Sequence, residues 1–78
     1  MDQANIFGQR VLEQRQKLGL KQSELGEKVG LSGKVICTIE TGARGTSFEN
    51  LVALARFLRV STDYLLGITD DPAWRGEE

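Results

Sequence analysis

The amino-acid sequence predicts an all-α fold of five short helices. Three observations predict it. Apolar residues recur three and four positions apart along most of the chain, which is the spacing of one helix face. Between these stretches stand residues that end or start helices: Gly19, Gly30 and Gly67 at the ends, Ser32, Ser47 and Ser61 at the starts. No stretch alternates apolar with polar residues as a half-buried strand would.

The first helix is expected over about residues 5–18. Phe7, Val11 and Leu18 form its apolar stripe, with polar Gln14 interrupting. Leu12 lies off that stripe, either as a partly exposed leucine or as a contact for a partner. The second helix is expected over 22–29, with Leu25 and Val29 on one edge. Lys21 stands at its cap. A lysine is a poor N-cap and its charge opposes the helix dipole, at a cost of about 0.5–1 kcal/mol. Two readings of it stay open, a cation that helps hold a phosphate at the helix N-terminus or a solvated side chain.

Gly30 allows a left-handed turn, Leu31 can plug the corner, and Ser32 can cap a third helix over 33–40. Ile36 and Ile39, three apart, face inward. Residues 22–41 therefore show the pattern of a helix-turn-helix, whose second helix lies in the DNA major groove. Cys37 on that helix reads as a small half-buried packing residue, with redox sensing as the alternative. Residues 42–46 form a loop carrying Arg44. Ser47 caps a fourth helix to about residue 59, with Phe48, Leu51, Val52, Leu54, Ala55 and Leu58 as a broad apolar stripe and Phe57 off its centre. Ser61 caps a short fifth helix over 62–66. Past Gly67 there is a turn signal at Asp71-Pro72 and no periodicity. The domain is placed at residues 1–67, and residues 68–78 are expected to be an acidic, flexible tail. Trp74 is the exception there, expected to dock on the domain or on a neighbour.

Seventy-eight residues make one domain, and a chain this short buries only about 60% of its unfolded surface, so the core must be compact. The net charge of −1 looks wrong for a DNA binder, but its distribution matters more than its sum. Residues 1–67 carry nine Lys/Arg against seven Asp/Glu, and residues 68–78 carry one against four. The body is mildly basic and the tail acidic. With one cysteine and no histidine, an intramolecular disulfide is impossible and a zinc site is not expected. The same composition removes His bases and Cys–His pairs, so no enzyme and no cofactor is expected. No apolar run is long enough to span a membrane and no signal peptide is visible, so the chain is expected in the cytoplasm with no membrane partner.

From about Phe7 to Gly67 the sequence resembles the lambda-repressor-like (Cro/repressor, Xre) helix-turn-helix family. The resemblance is carried by Arg15 before Gly19-Leu20, by Gln22 and Leu25, and by the turn Gly30-Leu31-Ser32. It continues through Ile36, Ile39, Glu40 and Gly42, then Ser47, Leu51, Ala55 and Leu58, and the run Val60-Ser61-Thr62-Asp63-Tyr64-Leu65-Leu66-Gly67. It implies double-stranded DNA as partner, bound by a two-fold homodimer on a palindromic operator. Gln22 resembles the glutamine that touches a backbone phosphate and braces a neighbouring base contact. Lys34 and Thr38 fall at groove-facing positions, with Gly33 at the first residue of the helix, Ser32 before it and Val35 beside them. Arg44 lies in the loop that follows the phosphate backbone. Arg15 and Glu40 resemble a structural ion pair between helices 1 and 3.

The sequence also departs from the family. Gly26 stands where alanine is usual, keeping close packing but lowering helix propensity by about 1 kcal/mol. Thr46 replaces a frequent proline. Gly33 has no side chain where many relatives place a base-reading one. Lys34 is left to guanine O6/N7 or to a phosphate, Thr38 to a thymine methyl, and Val35 to an apolar base edge. The function expected is a sequence-specific transcriptional regulator, in particular a repressor. The alternative is a protein-interaction module such as an antitoxin-like helix-turn-helix protein, favoured by the near-neutral charge, Gly33 and the acidic tail. Tyr64 and Leu65 on helix 5 are read either as dimer surface or as core, with core preferred for Leu65.

Overall fold

The computed structural model describes residues 3–74. It contains α1 (Gln3–Lys17), α2 (Gln22–Val29), α3 (Gly33–Glu40), α4 (Phe48–Leu58) and α5 (Thr62–Leu65). Every helix feeds one core: Phe7 and Val11 from α1, Leu25 from α2, Ile36 and Ile39 from α3, Leu54, Ala55 and Leu58 from α4, and Leu65 from α5. Val60, between α4 and α5, completes it. Tyr64 is half-buried beside this cluster, so helix 5 gives Leu65 to the core.

The helix ends follow from local chemistry. The hydroxyls of Ser32, Ser47 and Ser61 accept from Val35, Asn50 and Tyr64 backbone N–H groups at 3.1, 3.2 and 3.0 Å. Each satisfies one of the donors that a helix N-terminus leaves free. Lys21 cannot do this, because an ammonium has no lone pair. Glu24 compensates in part: its carboxylate accepts from the Lys21 backbone N–H at 2.7 Å, which is the far half of a capping box. At the C-terminus of α2, Gly30 is left-handed with φ 79°, and the Leu31 N–H reaches back to the Gly26 carbonyl at 2.8 Å. That turn sets the angle between α2 and α3.

Two glycines inside helices mark where backbones touch. A Cβ at Gly8 would sit 2.1 Å from the Ile39 carbonyl oxygen, so α1 lies directly on the end of α3. A Cβ at Gly26 would sit 2.3 Å from the Leu31 carbonyl oxygen. At position 26 even alanine would have to push the turn outward, although it would gain helix propensity.

Several expectations are corrected. Helix 1 ends at Lys17, and Leu18 is 51% exposed, because the chain turns at Gly19 before that side chain can reach the core. Phe48 is 72% exposed, since it is the first residue of α4 and sits at the rim. Phe57, off the stripe, nonetheless packs against the core. Past Gly67 the chain turns back onto the domain. Arg10 donates to the Tyr64 and Thr69 carbonyls and pairs with Asp70 at 2.7 Å, its guanidinium lying 4.3 Å from the Tyr64 ring centroid. Ser61 N–H donates to the Pro72 carbonyl at 3.2 Å, Val60 and Ala73 form an isolated antiparallel bridge, and Trp74 packs on the core. Residues 68–74 are thus part of the domain, and residues 75–78 of the expected tail lie outside the described residues. Among the described residues no helix is long and apolar enough to cross a membrane.

Candidate nucleic-acid interface

α3 is two-faced. Ile36 and Ile39 are buried, while Lys34, Val35 and Cys37 are exposed and Thr38 is half-buried. The expectation that Cys37 is half-buried is corrected: it is an exposed free thiol. Its position explains this, because it follows Ile36 by one residue and so points about 100° away from the core-facing direction. The Lys34 ammonium meets no carboxylate among the described residues. Thr38 commits its hydroxyl proton to its own helix, donating to the Lys34 carbonyl at 2.9 Å. Ser32 has its hydroxyl engaged as the cap.

Gly33 has a reason internal to the protein. A Cβ there would lie 3.1 Å from the Ser23 Cα, so the first turns of α2 and α3 are in contact at this point. The missing side chain admits α2, whatever it does toward a groove.

Behind this face, Arg15 and Glu40 are held together. Arg15 Nε and Nη2 donate to the two Glu40 carboxylate oxygens at 2.6 and 3.0 Å, and Arg15 Nη1 donates to the Leu20 carbonyl at 2.8 Å. The side chains are 13% and 4% exposed, so this is a buried bidentate pair rather than a surface one. The hydrogen bonds that Arg15 donates to Glu40 raise the Arg15 pKa further above its usual value, burial opposes that, and the charge of Glu40 adds to it. Gln22 joins the same network, donating Nε2–H to Glu40 at 3.0 Å. Its amide is therefore partly committed inside the protein. Arg44, in the loop after α3, and Lys21, before α2, are exposed. Lys21 and Gln22 thus stand at the start of α2, Lys34, Val35 and Thr38 on α3, and Arg44 in the loop that follows α3. Sequence reasoning missed the exposure of Phe48, four residues beyond Arg44 in the chain. Its place directly after the capping Ser47 was the available signal, because first-turn side chains often stay at the rim.

A compact all-helical domain that locks one helix by its inner face and presents the other, at a glycine-closed corner, is a helix-turn-helix domain. The Helix-turn-helix family model matches residues 11–65, and the chain belongs to that family. It is 36% identical over 67 residues to an uncharacterized HTH-type transcriptional regulator, YobD, of Bacillus subtilis, covering 86% of this chain and 60% of YobD. It is 39% identical over 61 residues to repressor protein C2 of Salmonella phage P22, covering 78% of this chain and 28% of C2. The crystal structure of that repressor with a synthetic operator superposes with a TM-score of 0.75, at 40% identity, covering 77% of this chain and 91% of that one. A complex of the SinR and SinI proteins also matches, with a TM-score of 0.72 at 33% identity, covering 77% of this chain and 59% of that one. The chain spans less than two thirds of the length of the curated relatives it matches.

Proposed function

We propose that this chain binds double-stranded DNA as a sequence-specific transcriptional regulator, acting as a repressor and not as an enzyme, in the cytoplasm. The observation that carries the reading is α3 itself, rigidly held from behind by Ile36, Ile39 and Glu40 and open in front at Lys34, Val35 and Thr38. The P22 c2 repressor of similar fold, in complex with a synthetic operator, supports DNA as the partner. In this reading Lys21, Arg44 and the outer part of Gln22 hold phosphates, and Lys34, Val35 and Thr38 meet base edges, with Ser32 and Gly33 bringing the backbone close. Phosphate contacts supply most of the affinity and α3 the discrimination.

One domain offers few contacts, so the chain acts as a two-fold dimer on a palindromic operator. The domain measures 27 × 27 × 22 Å. Two such bodies side by side can place their α3 helices about 34 Å apart, one helical turn of DNA. Sedimentation tests this, and a strict monomer both free and on DNA sinks it.

DNA binding is tested by titrating a duplex selected from random sequence at several salt concentrations. Binding is expected to weaken steeply with salt. Arg44→Ala is expected to reduce the salt slope by about one and to weaken all sequences alike. Lys34→Ala does the same if it meets a phosphate, and relaxes specificity at one position by about 1–3 kcal/mol if it meets a guanine. If neither selected nor random duplex binds at low salt, the DNA reading fails. A protein-interaction role then gains, with exposed Phe48 and Ile68 as its anchors and the SinR–SinI complex as its parallel.

A further inference from the structure

Between α4, the start of α5 and the returning segment lies a cavity of about 370 Å³. Its size is that of a small-molecule site. Val52 and Ala55 give it an apolar wall, Arg56 a cation, Asp63 and Asp71 carboxylates, and Trp74 an indole. Much of this polar lining has no protein partner. The Arg56 guanidinium makes no ion pair or hydrogen bond among the described residues, and neither does the Asp63 carboxylate. Asp71 spends one oxygen on the Ala73 N–H and keeps the other. The Trp74 indole N–H is buried and meets no acceptor. Arg56 and Asp63 are exposed, so water serves them. It does not serve the indole N–H, which is closed off from solvent. A buried donor without an acceptor is rare in a folded protein and calls for a reason. Because an indole only donates, its partner must bring an acceptor.

We propose that this cavity binds a small zwitterion of the α-amino-acid class. Its carboxylate accepts from the Arg56 guanidinium and, after a small turn of the ring, from the Trp74 N–H. Its ammonium donates to Asp63 and to the open oxygen of Asp71, and its side chain lies on Val52 and Ala55. The mixed charge of the lining decides the class. A simple anion would meet two carboxylates. A simple cation would meet Arg56 and bring nothing for the indole to donate to. A zwitterion matches both signs at once. Turning the indole breaks no hydrogen bond, since its N–H makes none. None of the residues assigned to DNA lines the cavity, so the proposal stands apart from the DNA reading.

The ¹⁵N-labelled full chain tests this without DNA. Trp74 is its one tryptophan, so a single indole N–H signal reports on the site. The probes are the common L-amino acids, added singly at millimolar concentration, with propionate and ethylamine as the two halves of alanine. At least one amino acid is expected to shift the indole signal to saturation. Propionate and ethylamine at the same concentration are expected to leave it in place. Arg56→Met and Asp63→Asn are each expected to weaken the amino acid about tenfold, the loss of one charge-assisted contact. Lys28→Met, exposed on α2 and outside the cavity lining, is expected to bind as the wild type does. The proposal is overturned if no amino acid gives a saturable shift. It is also overturned if propionate binds as tightly as the amino acid, which makes the cavity an anion site, or if either cavity variant binds as tightly as wild type. Should Asp63→Asn not fold, Arg56→Met decides alone, since Arg56 is exposed on α4 and its replacement uncovers no core.

Discussion

Glu40→Ala is expected to destabilise the domain by about 3–5 kcal/mol. A domain of this length holds about 4–12 kcal/mol in all, so the loss removes from about a quarter of the stability to all of it. The size follows from burial. An exposed pair would be worth about 1 kcal/mol or less, but here both side chains are largely covered and Arg15 points three of its donors at Glu40 and Leu20. Removing the carboxylate leaves a buried guanidinium with the Leu20 carbonyl as its remaining bond, and leaves Gln22 with a lost acceptor. The double replacement Arg15→Met with Glu40→Leu should cost much less than the single one, because it removes the charge that the single change strands. Urea unfolding of the wild type and both variants measures this. A single variant within about 0.5 kcal/mol of wild type would show that the pair is surface-like and the scaffold role is wrong.

What was legible in the sequence was what local chemistry decides. The bounds of α2 and α3 follow from Gly30 and Ser32, two residues whose backbone preferences act within one turn. Ser47 and Ser61 likewise start their helices where expected. The Arg15–Glu40 contact was implied by the family resemblance and lies in the structure at 2.6 Å, but its tie to Gln22 was not readable. That third bond depends on the angle between α1, α2 and α3, which no local pattern contains. Of the return of residues 68–74, the docking of Trp74 was legible and the path of the backbone was not, for a similar reason. Its captor is Arg10, 59 residues away from Thr69, and the segment itself has no periodicity to announce a helix. Cys37 and Phe48 were misplaced for a different reason. Cys37 is expected to be buried on residue type, where its angular position on α3 decides exposure, while Phe48 shares the apolar stripe of α4 but stands at its first residue, at the rim. Gly33 was read toward the DNA because the resemblance pointed there, and its contact with Ser23 appears once the two helices are assembled.

Gly8→Ala sets two effects of opposite sign against each other. Helix propensity alone favours alanine by about 1 kcal/mol in the interior of α1. Packing opposes it. The new Cβ would lie 2.1 Å from the Ile39 carbonyl oxygen and 2.9 Å from that of Glu40, both backbone atoms that cannot rotate away. Relief requires α1 to lift off the end of α3. That movement separates Phe7 and Val11 from Ile36 and Ile39, which share one core. It also pulls Arg15 away from Glu40, because both sit on the two helices being parted. Overpacking of this kind costs about 1–3 kcal/mol and more where backbone must move, so packing is expected to win. The variant should be less stable than wild type by about 2 kcal/mol or more after the propensity gain is subtracted. A comparison substitution separates the terms: Gln9→Ala, one residue on at an exposed position of the same helix, has the small propensity effect without the contact. If Gly8→Ala is as stable as Gln9→Ala in urea, then α1 does not lie on the Ile39 carbonyl. The scaffold that holds α3 outward would then have to be built differently from the packing described above.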